Sequence, residues 1–294
     1  AVGNAVTQIF GDGTMVVTSF GEVGTNKLAA LALILIVLAF IIFGGIKRIA
    51  HFTQIVVPFM ALGYIVMALI IVFLNLDKVP GVFSLILSDA FTAQAGFGAA
   101  IGWGVKRGIY SNEAGQGTGP HAAAAAEVDH PSQQGLVQAF SVYVDTLFVC
   151  SATGFMLLIT GLYNVQGPDG AALYTGIAGI AAGPGYVQTA MESMMPGFGN
   201  MFVAVALFFF AFTTIVAYYY IAETNIAYIN RKVNRPILTL LLKFGIIAAT
   251  VYGTVHTATF AWDLGDLGVG LMAWLNIIAI LLMHKVAYKC LKDY

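Results

Sequence analysis

Charge is scarce in this sequence. Aspartate, glutamate, lysine and arginine make up 9% of the 294 residues, where soluble domains carry about 25%. Apolar residues reach 59% and mean hydropathy is +0.87. Such a chain belongs in lipid and reads as an integral membrane protein. Its 13 basic and 14 acidic residues leave no basic surface for nucleic acid. Cysteine is nearly missing too. Cys150 inside an apolar run and Cys290 near the C-terminus give neither a disulfide framework nor a metal cluster. The five histidines show no ligand spacing. No signal peptide opens the chain, and AVGNAVTQIF reads as a helix interior without a cap. The sequence is therefore expected to start partway through a longer protein.

What the sequence does have is long apolar runs. A helix crosses the hydrocarbon core with about 20 apolar residues. Seven runs qualify, near 28–46, 49–76, 82–105, 136–162, 197–222, 236–256 and 267–283, with a partial crossing at 1–10. Lysine and arginine set the orientation. If Lys47-Arg48 is cytoplasmic, alternation brings Lys106, Arg107, Arg231, Lys232, Arg235, Lys285, Lys289 and Lys292 to the same side, ten of thirteen positive charges. The loop 106–135 and the C-terminus are then cytoplasmic. Lys243 snorkels to that side from within its span. The outer connection from Tyr163 to Pro196 has room for a short interfacial or re-entrant helix.

Polar groups inside these runs are few. Asp145 lies roughly 15 Å into its helix, near the midplane. A carboxylate there costs at least about 2.5–3.5 kcal/mol, so it should face the bundle or a watery cavity. At α-helical spacing, Gln138, Ser141, Asp145 and Ala152 form one small, polar stripe. Asp145 suits a cation ligand, a proton carrier, a gate partner, or a structural hydrogen bond. Thr213 and Thr214 sit mid-span; such hydroxyls usually bond their own backbone a turn earlier, yet two together offer a hard cation two oxygens. FTAQAGFGAAIGWG, Phe91–Gly104, is a poor continuous helix, since each interior glycine costs about 1 kcal/mol against alanine. A break there would expose backbone groups to a protected cavity, as in transporter sites. Close helix packing through small residues is the other reading.

The segment GIYSNEAGQGTGPHAAAA, Gly108–Ala125, interrupts the apolar pattern. It has no lysine after its last glycine and no preceding strand, so it is not a phosphate loop. Its glycines permit turns. Gly119-Pro120 should open a short helix running to Glu127, and Ser132 is positioned to cap the next one. The loop reads as a joint that flexes or latches, with Arg107 and Glu113 as latch charges.

GVKRGIYSNEAGQGTGPHAAAAAEVDHPSQQGLVQAFSVYVDTLFVCSATG closely resembles the signature region of the alanine or glycine:cation symporters, also called sodium:alanine symporters. GGIKR at 44–48, VPFMALGYI at 57–65 and FFAFTTIVAYYYIAE at 209–223 resemble the same family. The resemblance implies an all-α, multi-span bundle similar to the bacterial leucine transporter, with two inverted five-helix repeats, here without the N-terminal part and with residues 1–294 as one transport domain. It implies that Val82–Val105 is the broken helix opening the second repeat. The amino acid would rest against Gly96, Phe97 and Gly98, with Tyr218 and Asn4 toward the substrate. Thr213 and Thr214 would supply hydroxyls to a coupling sodium ion. Family members tend to have Gly-Trp where this chain has Ala217-Tyr218, so Tyr218 would alter the pocket's size and polarity.

The resulting expectation is a plasma-membrane symporter importing alanine or glycine with sodium by alternating access, with the bilayer and a small neutral amino acid as its partners. Proton coupling or another small substrate on the same fold is the nearest alternative. More distant ones are a passive channel and an intramembrane aspartyl protease using Asp145 and Asp266. The last needs its two aspartates at one depth, whereas the apolar runs set Asp266 at an outer helix end.

Overall fold

The computed structural model describes residues 2–19, 21–92, 97–167, 169–232, 235–255 and 258–294. Helices dominate. Six are long and apolar enough to cross a membrane: Thr25–Ile42, Lys47–Leu74, Pro131–Thr160, Gly199–Asn230, Ile237–Val255 and Trp262–Asp293. Six of the seven expected runs therefore appear as spans. The seventh, 82–105, is divided between α4 (Val79–Ala90) and α5 (Phe97–Asn112). α4 ends at Ala90, before the first glycine of Phe91–Gly104. α5 runs as continuous helix through Gly98, Gly102 and Gly104 in spite of the glycine penalty, since neighbouring structure can override propensity. Residues 93–96, between the two, lie outside the described residues.

Two compact units are present. The first comprises Ala1–Val82 and Ala152–His256, the second Phe83–Ser151 and Thr257–Tyr294. In the first unit, α1 (Val2–Phe10), α2 (Thr25–Ile42), α3 (Ile46–Leu74), α9 (Pro184–Met194), α10 (Gly199–Asn230) and α11 (Ile237–Val255) pack around a core of Val2, Leu38, Ile42, Phe212, Val216 and Tyr219. Lipid is as apolar as these side chains, so close packing and interhelical hydrogen bonds hold such helices together, not water exclusion. Gln188, fully buried on α9, shows this. Its Nε2 donates to Ala5 O on α1 at 3.1 Å.

The GGIKR motif has a local explanation. Gly45 adopts φ +77° in the turn between α2 and α3, which only glycine takes without strain. Arg48 folds back, donating from Nη1 to Phe40 O at 2.7 Å with its guanidinium over the Phe40 ring. It thus satisfies a carbonyl at the C-terminal end of α2 and complements the helix dipole.

The connections are not wholly helical. A hairpin of β1 (Met15–Thr18) and β2 (Gly21–Gly24) joins α1 to α2, and β3 (Asn164–Gln166) pairs with β4 (Ala172–Thr175) in the outer connection. α9 fills the place where a short helix was expected there. Glu192 near its end accepts from Gly197 N at 2.5 Å and Asn200 N at 2.8 Å, capping α10. These backbone N–H groups hold the Glu192 carboxyl below the usual carboxylate range.

The second unit contains α5, α6 (Gly119–Ala125), α7 (Pro131–Tyr143) and α12 (Ala258–Asp293). From α7 the chain passes through a π-helical turn, Val144–Cys150, into α8 (Ser151–Thr160), which belongs to the first unit. The start of α7 differs from expectation. His130, not Ser132, is the cap: its Nδ1 accepts from Ser132 N at 3.2 Å, while Gln133 Oε1 reaches back to His130 N. Pro131 takes the first turn, where a missing N–H costs nothing. Ser132 instead donates to Cys290 O at 3.0 Å.

Candidate functional site

In the first unit, a cavity of about 360 Å3 lies among α1, α2, α10 and α11. Its polar lining comes from Thr214 and Tyr218 on α10 and from Thr250 and Thr254 on α11; Val2 and Gly3 close it from α1. The size falls within the range of small-molecule sites, about 300–1,000 Å3.

The two α10 threonines do what isolated membrane hydroxyls usually do. Thr213 Oγ1 lies 2.8 Å from Phe209 O, and Thr214 Oγ1 lies 2.8 Å from Phe210 O. Each hydroxyl donates its hydrogen and keeps lone pairs for a cation. Their surroundings differ. Thr214 lines the cavity, whereas Thr213 is buried, with its hydroxyl 3.9 Å from Met60 Sδ on α3. Asn4 is exposed and is not among the cavity's lining residues; the neighbouring Gly3 is. Thr250 and Thr254 were not singled out from the sequence. Their i, i+4 spacing on a face shared with Ala249 and Gly253 was the available signal. Both donate to carbonyls a turn earlier at 2.8 Å.

Of the three residues expected to hold the amino acid at the helix break, Gly96 lies outside the described residues. Phe97 and Gly98 are the first two residues of α5. Backbone N–H groups at a helix start are unpaired and carry positive partial charge, which suits a carboxylate.

In the second unit, Asp145 opens the π turn. Ser111 on α5 donates to its Oδ2 at 2.7 Å, and Cys150 Sγ stands 3.0 Å from Ser111 Oγ. One residue along each helix, Asn112 Nδ2 donates to Thr146 Oγ1 at 2.9 Å. The expected Gln138–Ser141–Asp145–Ala152 stripe does not run through: Ser141 bonds Gln138 O locally, and the π turn breaks the α-helical spacing before Ala152.

Arg107 and Lys106 meet Asp266 on α12, at 3.9 Å and 2.5 Å. The Arg107 guanidinium also lies over Trp262 and Trp103. Asp266 is therefore not at a helix end across the membrane from Lys106. α12 begins at Ala258, well before the apolar run at 267, and carries Asp266 to the depth of its partners.

The loop after α5 turns on left-handed backbone, strained only at Glu113, which is not glycine. Glu113 has φ +57°, Gly115 +85° and Gly117 +92°. Asn276 on α12 donates to Gly115 O at 2.9 Å, and a Cβ on Gly117 would come within 3.2 Å of Asn276. α6 follows from Gly119 with Pro120 in its first turn, ending at Ala125.

Six membrane-length helices among the described residues are those of a polytopic helical membrane protein. The chain belongs to the sodium:alanine symporter family, whose model matches residues 3–294. It is 62% identical over 265 residues to YrbD of Bacillus subtilis (strain 168), covering 89% of this chain and 55% of YrbD; that protein's assignment as a sodium/proton-dependent alanine carrier is itself by inference. It is 55% identical over 276 residues to the sodium/proton-dependent alanine carrier protein of Bacillus sp. (strain PS3), covering 92% of this chain and 62% of that protein. To the sodium/alanine symporter AgcS of Methanococcus maripaludis it is 36% identical over 288 residues, 94% of this chain and 60% of AgcS. The chain thus spans little more than half the length of these relatives.

Proposed function

We infer that the protein is a sodium-coupled symporter that imports small neutral amino acids, alanine or glycine first, by alternating access. The observation that carries this reading is the family match across 3–294, joined by relatives named as alanine carriers. The interrupted helix and the threonine-lined cavity fit it. As proposed, residues 1–294 form one transport domain of the leucine-transporter-like inverted-repeat fold in the plasma membrane, with its C-terminus cytoplasmic.

In this reading the amino acid lies near the midplane, its carboxylate against the start of α5 at Gly96, Phe97 and Gly98. Tyr218, in the cavity of the first unit, and Asn4 on α1 are proposed as further substrate-binding residues. Sodium takes oxygens from Thr213 and Thr214, whose lone pairs remain available once the hydrogens are donated. Each sodium entering gains about 2.3 kcal/mol per 100 mV of membrane potential, which drives the uphill amino acid. The loop after α5 moves as the inner gate opens, with Arg107 and Glu113 at its base.

The test is alanine uptake by the full-length protein in liposomes, with and without an inward sodium gradient. Accumulation only with the gradient is expected. Equal uptake without it contradicts the coupling.

A further inference from the structure

The cavity of the first unit has hydroxyls on two of its walls, α10 and α11, and they stand at matched heights. The two helices are joined by the short connection 231–236, so they run antiparallel, and they pack together. Counted back from Asn230, Thr214 stands sixteen residues up α10. Counted on from Ile237, Thr254 stands seventeen residues up α11. At 1.5 Å per residue these are heights of roughly 24 and 26 Å above the connection. Tyr218 and Thr250 make a second level one helical turn lower, at roughly 18 and 20 Å. All four residues line the same cavity.

The threonines offer this cavity oxygen only. Thr214 Oγ1 donates to Phe210 O, Thr250 Oγ1 to Ile246 O and Thr254 Oγ1 to Thr250 O, each at 2.8 Å. With each hydrogen committed to its own helix, lone pairs are what remain. A carboxylate needs donors, which these three groups have already spent. A hard cation needs oxygens, which they supply.

Distance decides which hydroxyls can serve together. The oxygens around a hard cation lie about 2–2.6 Å from it, so two that share an ion are within about 5 Å of each other. Thr250 and Thr254 are separated by about 6 Å along the axis of α11 and do not suit one ion. Thr214 and Thr254, level with each other on opposite walls, do. Gly253 lines the cavity beside Thr254, and a Cβ there would meet open space.

We propose that Thr254 on α11 supplies the coupling sodium ion with an oxygen opposite Thr214, so that the ion is held between α10 and α11. Water completes its shell, since about 360 Å3 has room for several molecules at about 30 Å3 each. Thr250 stands one level away and is not a ligand of that ion. The identity of the ion as the coupling sodium rests on the symport reading; its place between the two helices rests on the geometry.

The experiment measures sodium binding to the full-length protein in detergent. The readout is the rise in melting temperature on titrating sodium, with potassium keeping ionic strength fixed. Thr254→Val keeps the side chain's shape and removes the hydroxyl. It should raise the sodium concentration for half-maximal stabilisation about tenfold, the order expected when an oxygen serving a charge is lost. Thr254→Ser should stay near the parent, and Thr250→Val should shift the midpoint less than Thr254→Val. Gly253→Leu, which fills the cavity beside Thr254, should abolish the sodium effect. An unmoved sodium midpoint in Thr254→Val overturns the proposal, as does a larger shift in Thr250→Val. Sodium stabilisation that survives in Gly253→Leu also overturns it, and that variant decides the matter if Thr254→Val does not fold. The ammonium of an amino acid shares sodium's need for oxygens. If Thr254→Val weakens stabilisation by alanine and not by sodium, the hydroxyl holds that ammonium and the proposal fails. In liposomes, alanine uptake that ignores the sodium gradient, in a parent whose sodium midpoint depends on Thr254, contradicts the symport reading and leaves the site standing.

Discussion

Two polar places among those within the helices satisfy themselves in opposite ways. Thr213 and Thr214 return their hydrogens to α10's own carbonyls, one turn back. Asp145 and Thr146 take theirs from another helix, through Ser111 and Asn112 on α5. The first arrangement is complete without a neighbour, so an ion can come and go with little effect on packing. The second ties two elements together, so changing its charge acts on how they associate. The binding role proposed for the threonines and the coupling role expected of Asp145 rest on this contrast.

Substitutions should sharpen this contrast. The largest effect is expected at the joint leading from α5. Gly115→Pro demands φ near −65° where the chain has +85°. Uptake should fall at least about tenfold, since the strain exceeds the fraction of a kcal/mol that glycine's freedom usually represents. Sodium-dependent thermal stabilisation should remain, because the threonines lie in a different unit. Loss of both would show that the two regions do not act separately.

Next come the threonines themselves. Thr214→Ala should raise the sodium concentration for half-maximal uptake about tenfold, or 1.4 kcal/mol, with the fold kept. Thr213→Ala should do less, because its hydroxyl faces Met60 and not the cavity. A reversed order would move the ion to the α3 side of α10. At Asp266, the Lys106 and Arg107 side chains are more than 40% exposed, so Asp266→Asn should cost the melting free energy only about 1 kcal/mol or less.

The smallest effect belongs to Glu192. Its folded-state carboxyl is held below the usual value by the N–H groups of α10. Its stabilisation is therefore present above the unfolded carboxylate pKa and is lost as pH falls through the lower folded value. Melting temperature should drop across that acid window, and Glu192→Gln should flatten this part of the curve. An unchanged curve would remove the cap from the account.

Much of this was legible in the sequence, where physics leaves a compositional mark. Six spans, the proline-started helix at Gly119 and the short helix in the outer connection all follow from run length, glycine and proline. The cap at His130 was not, because any side-chain acceptor in the right backbone position can cap, and Ser132 was the commoner residue type. The π turn left no compositional signal either. It is one extra residue of winding, and its consequence is to align Asp145 with Cys150, which α-helical spacing sets apart. Asp266 was misplaced because apolar runs mark where lipid begins, not where a helix begins. Thr250 and Thr254 were visible as a spaced pair, but only the fold joins them to Thr214.

The central claim is that sodium and alanine move together. In liposomes containing the full-length protein and loaded with alanine, an outward sodium gradient should drive alanine out, and an inward gradient should drive it in. Net alanine flux that follows the sodium gradient in both directions is the predicted result. Flux that follows only the alanine gradient, whichever way sodium runs, would contradict the account.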